Sequence, residues 1–119
     1  MATPIYHCSL LSDWEAAKAA GEYTISSRGR TLREEGFIHA CYADQIDGVL
    51  ERFYADVTEP MVLLVIDPDL LTVPVVRESP PGVDEQFPHI YGPLPIGAVT
   101  QVRPLQREEA RWTADDGPT

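Results

Sequence analysis

The chain has 119 residues, which is enough for one domain with a buried core, and its hydrophobic fraction of 44% is that of an ordinary globular protein. Its net charge is −10, from 19 acidic and 9 basic residues, and this argues against general nucleic-acid binding because such a field repels a phosphate backbone. No apolar run is long enough to span a bilayer, and the first residues lack the basic start of a secretory signal, so we expect a cytoplasmic protein that does not bind membranes.

The first half of the chain alternates short strands with one clear helix. The stretch "SDWEAAKAAG" predicts a helix that begins with a capping box of Ser12 and Glu15 and ends at Gly21. The following "SSRGRTLREEG" predicts a loop with one helical turn around Leu32. Strands are predicted over residues 4–10, 22–25 and 36–42.

The second half begins with an amphipathic helix over residues 43–55, followed by a continuous apolar strand, "MVLLVID", of the kind that is buried on both faces. Pro74 predicts that the next strand lies at a sheet edge. The apolar face of the helix comprises Ile46, Val49, Leu50 and Phe53. The remaining elements are strands over residues 73–78 and 97–105 and a polar loop over residues 79–88.

Strands outnumber helices, and the helices fall early in the chain. This pattern predicts an α+β fold with a mixed, mostly antiparallel sheet and two short helices. We expect a single domain over residues 1–107 and a polar, flexible tail over residues 108–119.

The three histidines, His7, His39 and His89, lie among aromatic and β-branched residues near predicted strand ends. A single strand histidine is most often structural, but three in similar settings are explained more simply by one shared pocket. Three imidazoles could hold zinc, although no common ligand spacing is present, and Cys41 could pair with His39 as a nucleophile, although no third group is marked. The remaining alternative is a pocket for a ligand that contains ribose and phosphate.

A local cluster of positive charge precedes the His39 strand. Arg28, Arg30 and Arg33 supply three of the nine basic residues within a short segment. The segment is either a solvated loop or a site for one phosphate or diphosphate, for which the planar guanidinium is well suited.

Five stretches of the chain resemble a known family: "IYHCSLLSDWEAAKAAGEYTISS", "EGFIHACYADQIDGVLERFY", "VLLVIDPDLL", "VRES" and "FPHIYGPLPIGAV". Together they run from about Ile5 to Leu105 and resemble the domain-of-unknown-function family DUF952. This family is similar in fold to the ADP-ribosyltransferase superfamily, which includes RNA 2′-phosphotransferases. The resemblance implies an ADP-ribosyltransferase-like fold and a cleft that takes NAD as a substrate.

The resemblance also implies roles for individual residues. It places His7 at the ribose of NAD, with His39 in the second histidine motif, and it puts His89 and Tyr91 where many transferases carry carboxylates. We therefore predict an ADP-ribosyltransferase-like protein that binds NAD or a related nucleotide or ribose-phosphate ligand in a histidine-lined cleft without a metal. Transferase activity is one of the functions that this prediction allows. The predicted catalytic residues are His39, His89 and Glu78, and the predicted ligand-binding residues are His7, Tyr23, Ser26, Arg28, Arg30 and Tyr91.

The alternative function is a non-catalytic module that binds a small ligand or a protein. Glu78 discriminates between the two functions. A Glu78 carboxylate inside the pocket and within reach of His7 favours an enzyme, whereas one that points outwards favours binding alone.

Overall fold

A computed structural model describes residues 3–108 and 111–114 of the chain. The described strands are β1 (Ile5–Leu10), β2 (Glu22–Tyr23), β3 (Ile25–Ser27), β4 (Arg30–Thr31), β5 (Ile38–His39), β6 (Met61–Ile66), β7 (Val75–Glu78), β8 (Phe87–Ile90), β9 (Leu94–Pro95), β10 (Val99–Glu108) and β11 (Arg111–Ala114). The described α-helices are α1 (Leu11–Ala20), α2 (Leu32–Glu35) and α3 (Ile46–Phe53), and single 3-10 turns cover Ala43–Gln45, Pro68–Leu70 and Ile96–Ala98.

The largest sheet has four strands in the order β1-β6-β10-β11, and its strand pairs are all antiparallel. The central strand β6 is buried at every position, as its apolar run predicts. Its side chains alternate between two cores because successive residues of a strand point to opposite faces. Leu64 and Ile66 pack in one core with Trp14, while Met61 and Leu63 pack in the other.

A second sheet has three strands in the order β5-β8-β7, again antiparallel, and β7 lies at its edge as Pro74 predicts. The predicted strand over residues 36–42 is shorter than expected. Its first part, β5, pairs with β8, whereas Cys41 pairs with Tyr6 of β1 in the other sheet. The chain therefore crosses from one sheet to the other between His39 and Cys41, and this crossing brings β1 and β5 together.

Two predicted helix features differ from the structure. The Ser12–Glu15 capping box is wrong: the N-cap of α1 is Leu10, two residues before Ser12, and no side chain caps the helix. Its end at Gly21 is confirmed, because this residue adopts the left-handed φ of 93° that favours glycine. The short helix α2 carries the capping box that sequence reasoning missed, formed by Thr31 and Glu34.

The predicted fold class is confirmed at the level of a small α+β fold with antiparallel sheets and few short helices. Within residues 3–108 and 111–114 no parallel strand pair occurs, so the mixed sheet is not observed there. Three α-helices are described rather than two, since α2 is the predicted single turn around Leu32. No helix in the described part of the chain is both long and apolar enough to cross a membrane.

The predicted tail over residues 108–119 contains a strand. Arg111–Ala114 forms β11, which pairs with the end of β10, and the Trp112 side chain is only 7% exposed. Its indole N–H donates to the backbone oxygen of Tyr54 at 2.8 Å. These four residues therefore pair with the domain, and the flexibility of the tail stays a prediction. The rest of the predicted tail lies outside the described residues apart from Glu108, which ends β10.

Candidate functional site

A cleft of about 650 Å³ opens where β1 approaches β5. Its floor contains Tyr6, His7 and Cys8 of β1 together with Cys41. The other lining residues come from the segment between β3 and β4, from the end of α2, from β5 and the residue after it, from α3 and the residue after it, and from the segment that leads into β8: Ser27, Arg28, Arg30, Glu35, His39, Ala40, Val49, Arg52, Phe53, Tyr54, Pro80, Pro81, Val83 and Phe87. The cleft has the size of a small-molecule site and combines apolar walls with a few charged groups.

His7 lies in the cleft floor, but both of its ring nitrogens are already engaged. Nδ1 lies 2.5 Å from the backbone oxygen of His39, and Nε2 lies 2.9 Å from the hydroxyl of Tyr23. A carbonyl can only accept, so Nδ1 carries the proton and donates. Burial lowers the pKa of His7 to about 4, which keeps the ring neutral and Nε2 an acceptor. His7 is thus held as part of a buried network.

Tyr23 and Ser26, two predicted ligand-binding residues, are buried and lie outside the cleft lining. The Tyr23 hydroxyl lies 2.8 Å from Ser9 Oγ as well as 2.9 Å from His7, and its single proton can serve one of these acceptors at a time. Ser26 donates its hydroxyl to the backbone oxygen of Phe37. Both side chains therefore support the walls of the cleft from behind.

His39 is the accessible imidazole of the cleft, with 36% of its side chain exposed. Its Nε2 lies 3.4 Å from Oε1 of Glu35, which also lines the cleft. Burial, opposed in part by the bond to Glu35, lowers the pKa of His39, so the ring is neutral at neutral pH. A neutral imidazole beside a carboxylate is suited to accept a proton from a bound ligand.

His89, Glu78 and Tyr91 form a separate array beside the cleft. His89 Nδ1 lies 2.8 Å from Glu78 Oε1, and Tyr91 donates its hydroxyl to the same oxygen. These two hydrogen bonds, that from Tyr91 first, lower the pKa of Glu78. None of the three residues lines the cleft. His89 is nevertheless the direct cross-strand partner of His39, and the two ring centroids lie 5.2 Å apart.

The three histidines of the predicted site therefore lie close together, but their ring nitrogens do not all point into one common pocket. His39 contacts both of the others, through its carbonyl to His7 and through its ring to His89. Glu78 and Tyr91 are directed to His89 and to each other, and neither lines the cleft with His7. By the criterion stated from the sequence, this position of Glu78 favours binding over catalysis.

Of the three arginines in the predicted phosphate patch, two line the cleft and Arg33 does not. Arg28 donates from both terminal nitrogens to Asp56, at 2.6 and 3.0 Å. Arg30 is the less engaged of the two, with Nη1 4.0 Å from Glu35 Oε2. An anion in the cleft would therefore meet Arg30 with little competition and Arg28 in competition with Asp56.

Several cleft residues were missed by sequence reasoning, namely Glu35, Arg52 and Phe53. Phe53 was expected on the buried face of α3, yet it is 57% exposed because the last turn of the helix directs it into the cleft. Glu35 approaches His39 because Gly36, at a left-handed φ of 87°, reverses the chain between them. Gly36 was the sequence signal for this contact, because it ends α2 and helical spacing cannot predict which residues beyond it lie near Glu35.

The two thiols lie in the cleft floor but are poor nucleophiles. Burial raises the pKa of Cys41 to about 12 and raises the pKa of Cys8 as well, so the thiolate forms are disfavoured. Within residues 3–108 and 111–114, no group of three or more His, Cys, Asp or Glu side chains is arranged to hold a metal ion. The absence of a bound metal stays a prediction.

The chain is a small α+β protein in which His39, Arg28 and Arg30 line one cleft. The chain belongs to the family described as "Protein of unknown function (DUF952)", whose model matches residues 8–102. No curated protein matches the chain.

Solved structures of the protein CC0527 from Caulobacter crescentus are similar to this chain. The X-ray structure is 27% identical, with a TM-score of 0.79 over 97% of this chain and 96% of that one. The solution NMR structure is 28% identical, with a TM-score of 0.72 over 93% of this chain and 91% of that one. The descriptions of these structures name no activity or ligand, and no match supports the expected likeness to ADP-ribosyltransferases.

Proposed function

We propose that the cleft binds NAD or a related nucleotide or ribose-phosphate ligand. The observation that carries this proposal is a concentration of positive charge. Three of the nine basic residues of a chain with net charge −10, namely Arg28, Arg30 and Arg52, line one cleft. Guanidinium groups recognise phosphate through paired hydrogen bonds, and a local basic site in an acidic protein suits a small anion better than a polymer.

The apolar part of the cleft supports the same class of ligand. Phe53 is 57% exposed and lies beside the Arg52 guanidinium, whose central carbon is 5.8 Å from the ring centroid. An exposed ring next to cations offers a stacking surface for a base, as in many sites that bind nucleotides. The volume of about 650 Å³ is sufficient for a ligand of nucleotide size.

A transferase step at this cleft would use NAD as a substrate and would need a carboxylate near the ribose. Glu78 was the expected carboxylate, but it is directed to His89 and Tyr91. Glu35 lines the cleft 3.4 Å from His39 and is placed to stabilise positive charge on a ligand. In the transferase reading we therefore assign charge stabilisation to Glu35 and proton transfer to His39.

The second candidate function is binding of a small ligand or a protein without catalysis. It is favoured by the position of Glu78 and by the engagement of both His7 nitrogens, since neither residue offers a free group to a reaction in the cleft. The two functions share the ligand site and differ in whether Glu35 and His39 act on what is bound.

Calorimetric titration with NAD, ADP-ribose, AMP and adenosine tests the binding proposal. Arg30→Ala should weaken the three phosphate-bearing ligands about fivefold and leave adenosine nearly unchanged. Arg33→Ala is the matched control, because Arg33 lies in the same segment but does not line the cleft. If the wild-type protein shows no heat with any of these ligands at millimolar concentration, the nucleotide proposal fails.

Catalysis is tested by following nicotinamide release from NAD. If the wild type is active, Glu35→Gln and His39→Gln should each lower kcat, because both remove a group that acts on the bound ligand. Binding of NAD without any nicotinamide release, in the presence or absence of candidate acceptors, would favour the non-catalytic function.

A further inference from the structure

Two histidines are cross-strand neighbours in the three-stranded sheet. The hydrogen bonds of each ring determine which of its nitrogens carries the proton. His39 of β5 is paired with His89 of β8, with ring centroids 5.2 Å apart and ring planes at 81°. Each ring also contacts a different carboxylate, Glu35 for His39 and Glu78 for His89. A carboxylate that accepts an N–H leaves the other nitrogen of a neutral imidazole as an acceptor.

His89 presents such an acceptor in a buried position. Its Nδ1 lies 2.8 Å from Glu78 Oε1, so this nitrogen carries the proton and donates. In the neutral ring Nε2 is then an acceptor, and this atom is buried without a hydrogen-bond partner among the described residues. A buried polar atom without a partner is costly and uncommon in native proteins, and it marks a place where a donor is expected.

His39 presents a second acceptor, but its ring is in the tautomer opposite to that of His89. Its Nε2 is the nitrogen next to Glu35, at 3.4 Å, so Nε2 carries the proton and Nδ1 has the free lone pair. The lowered pKa of His39 is consistent with a neutral ring. The pair therefore offers two acceptors, on two neighbouring rings, each backed by a carboxylate.

The pair adjoins the cleft. His39 lines it directly, and so does Phe87, which lies two residues before His89 on the same face of β8. His89 thus lies immediately behind the cleft wall, between two residues that form that wall. Glu35 and Glu78 disfavour an anion at the histidine pair itself. Glu35 also separates this pair from Arg30, whose Nη1 lies 4.0 Å from Glu35 Oε2.

We propose that the His39–His89 pair is a subsite for two neighbouring hydroxyl groups, the vicinal diol of a ribose. One hydroxyl donates to His89 Nε2 and the other to His39 Nδ1. Because His89 Nε2 is buried, the proposal requires the partly exposed His39 ring to turn aside and admit the first hydroxyl. The phosphates of the same ligand then lie at Arg28 and Arg30. This inference rests on the proposed nucleotide function and adds to it which residues hold the ribose and which hold the phosphates.

The first test uses the ligand-free protein. Side-chain ¹⁵N NMR distinguishes a protonated ring nitrogen from one with a free lone pair. His89 should have the proton on Nδ1 and a free Nε2, and His39 should have the reverse arrangement. A proton on Nε2 of His89 at neutral pH overturns the subsite, whatever the protein binds.

The second test compares AMP with 2′,3′-dideoxy-AMP by calorimetry. Loss of both hydroxyls should weaken binding about tenfold, because two acceptors then lack donors. His89→Phe retains a ring against Phe37 but removes Nε2, so it should reduce this discrimination. Tyr91→Phe is the control: it removes a hydrogen bond to Glu78 without changing His89, so the discrimination should persist.

The outcomes separate the two proposals. Equal binding of AMP and its dideoxy analogue by the wild type overturns the diol subsite and leaves the nucleotide function intact. If neither AMP, ADP-ribose nor NAD binds, the nucleotide function fails and the subsite fails with it. If His89→Phe does not fold, the ¹⁵N shift of His89 Nε2 in the wild type on addition of AMP replaces it, and an unchanged shift counts against the subsite.

Discussion

His7 donates a hydrogen bond to the backbone of His39, with Nδ1 of the ring 2.5 Å from the carbonyl oxygen. The two residues belong to different sheets, since β1 is part of the four-stranded sheet and β5 is part of the three-stranded sheet. The neighbouring pairing of Tyr6 with Cys41 joins the same two segments through their backbones. The cleft floor is therefore also the place where the two sheets are attached, and His7 contributes to stability as well as to the site.

Replacing His7 should mainly lower the free energy of unfolding, because the ring is part of a buried network and offers no free nitrogen to a ligand. His7→Ala removes a fully buried ring, leaves a cavity and deprives the His39 carbonyl and the Tyr23 hydroxyl of a partner. We expect a loss of about 2–4 kcal/mol in the free energy of unfolding, measured by chemical denaturation. His39→Ala keeps the carbonyl and removes a half-exposed ring, so it should cost less. Equal losses for the two variants would contradict this role of His7.

Stability should fall in mild acid because of the same residue. Burial lowers the pKa of His7 to about 4, below the ordinary value of 6.5 that applies in the unfolded chain. The unfolded state therefore takes up a proton first as pH falls, so the stability present above pH 6.5 is progressively lost between pH 6.5 and about 4. His7 alone should make the protein about 2 kcal/mol less stable at pH 5 than at pH 7.

Denaturant unfolding at these two pH values checks this expectation. A His7→Gln variant is the control, because it has no titrating ring and should lose most of the dependence over this range. His39 also has a lowered pKa and contributes in the same direction, so a smaller slope should remain in the variant. A wild-type protein that is equally stable at both pH values would exclude a neutral, buried His7.

Trp112 should anchor the C-terminal strand. The Trp112 ring packs in the second core against Leu50 of α3 and Tyr54, which directly follows this helix. The indole N–H of Trp112 donates to the backbone oxygen of Tyr54. Trp112→Ala should lower the free energy of unfolding by about 3–5 kcal/mol, the usual cost of truncating a buried aromatic residue. Val102→Ala, on the half-exposed side of β10, is the control and should cost far less. A near-neutral Trp112→Ala would mean that β11 contributes little to the fold.

The sequence was informative where local patterns decide the structure. The apolar run of β6 predicted a central strand, Pro74 predicted an edge strand, and Gly21 predicted the end of α1, all of which the structure shows. The strand around Trp112 was not predicted, because the core partners of this side chain come from distant parts of the chain and its polar neighbours in sequence carry no information about them.

The site was harder to predict for a similar reason. The histidine motifs pointed to His7, His39 and His89, but the partner of each ring nitrogen depends on how β1, β5 and β7 are placed in space. Sequence reasoning therefore named Tyr23 as a ligand contact when it is a buried partner of His7. It passed over Glu35 because the turn at Gly36, rather than any regular spacing, brings this carboxylate to His39.

Neutralising Asp56 should strengthen anion binding in the cleft. Asp56 accepts both terminal N–H groups of Arg28, and this pairing lowers the pKa of Asp56, so the carboxylate stays charged at neutral pH. An incoming phosphate must compete with it for the same guanidinium. Asp56→Asn weakens the competitor and should tighten binding of AMP or ADP-ribose about threefold, without a change for adenosine, as measured by calorimetry at low salt. Asp47→Asn changes the net charge equally but lies outside the cleft lining, so it separates a local effect from a general one. If both variants tighten binding equally, the arginine pair is not the phosphate site and the whole field of the protein is responsible.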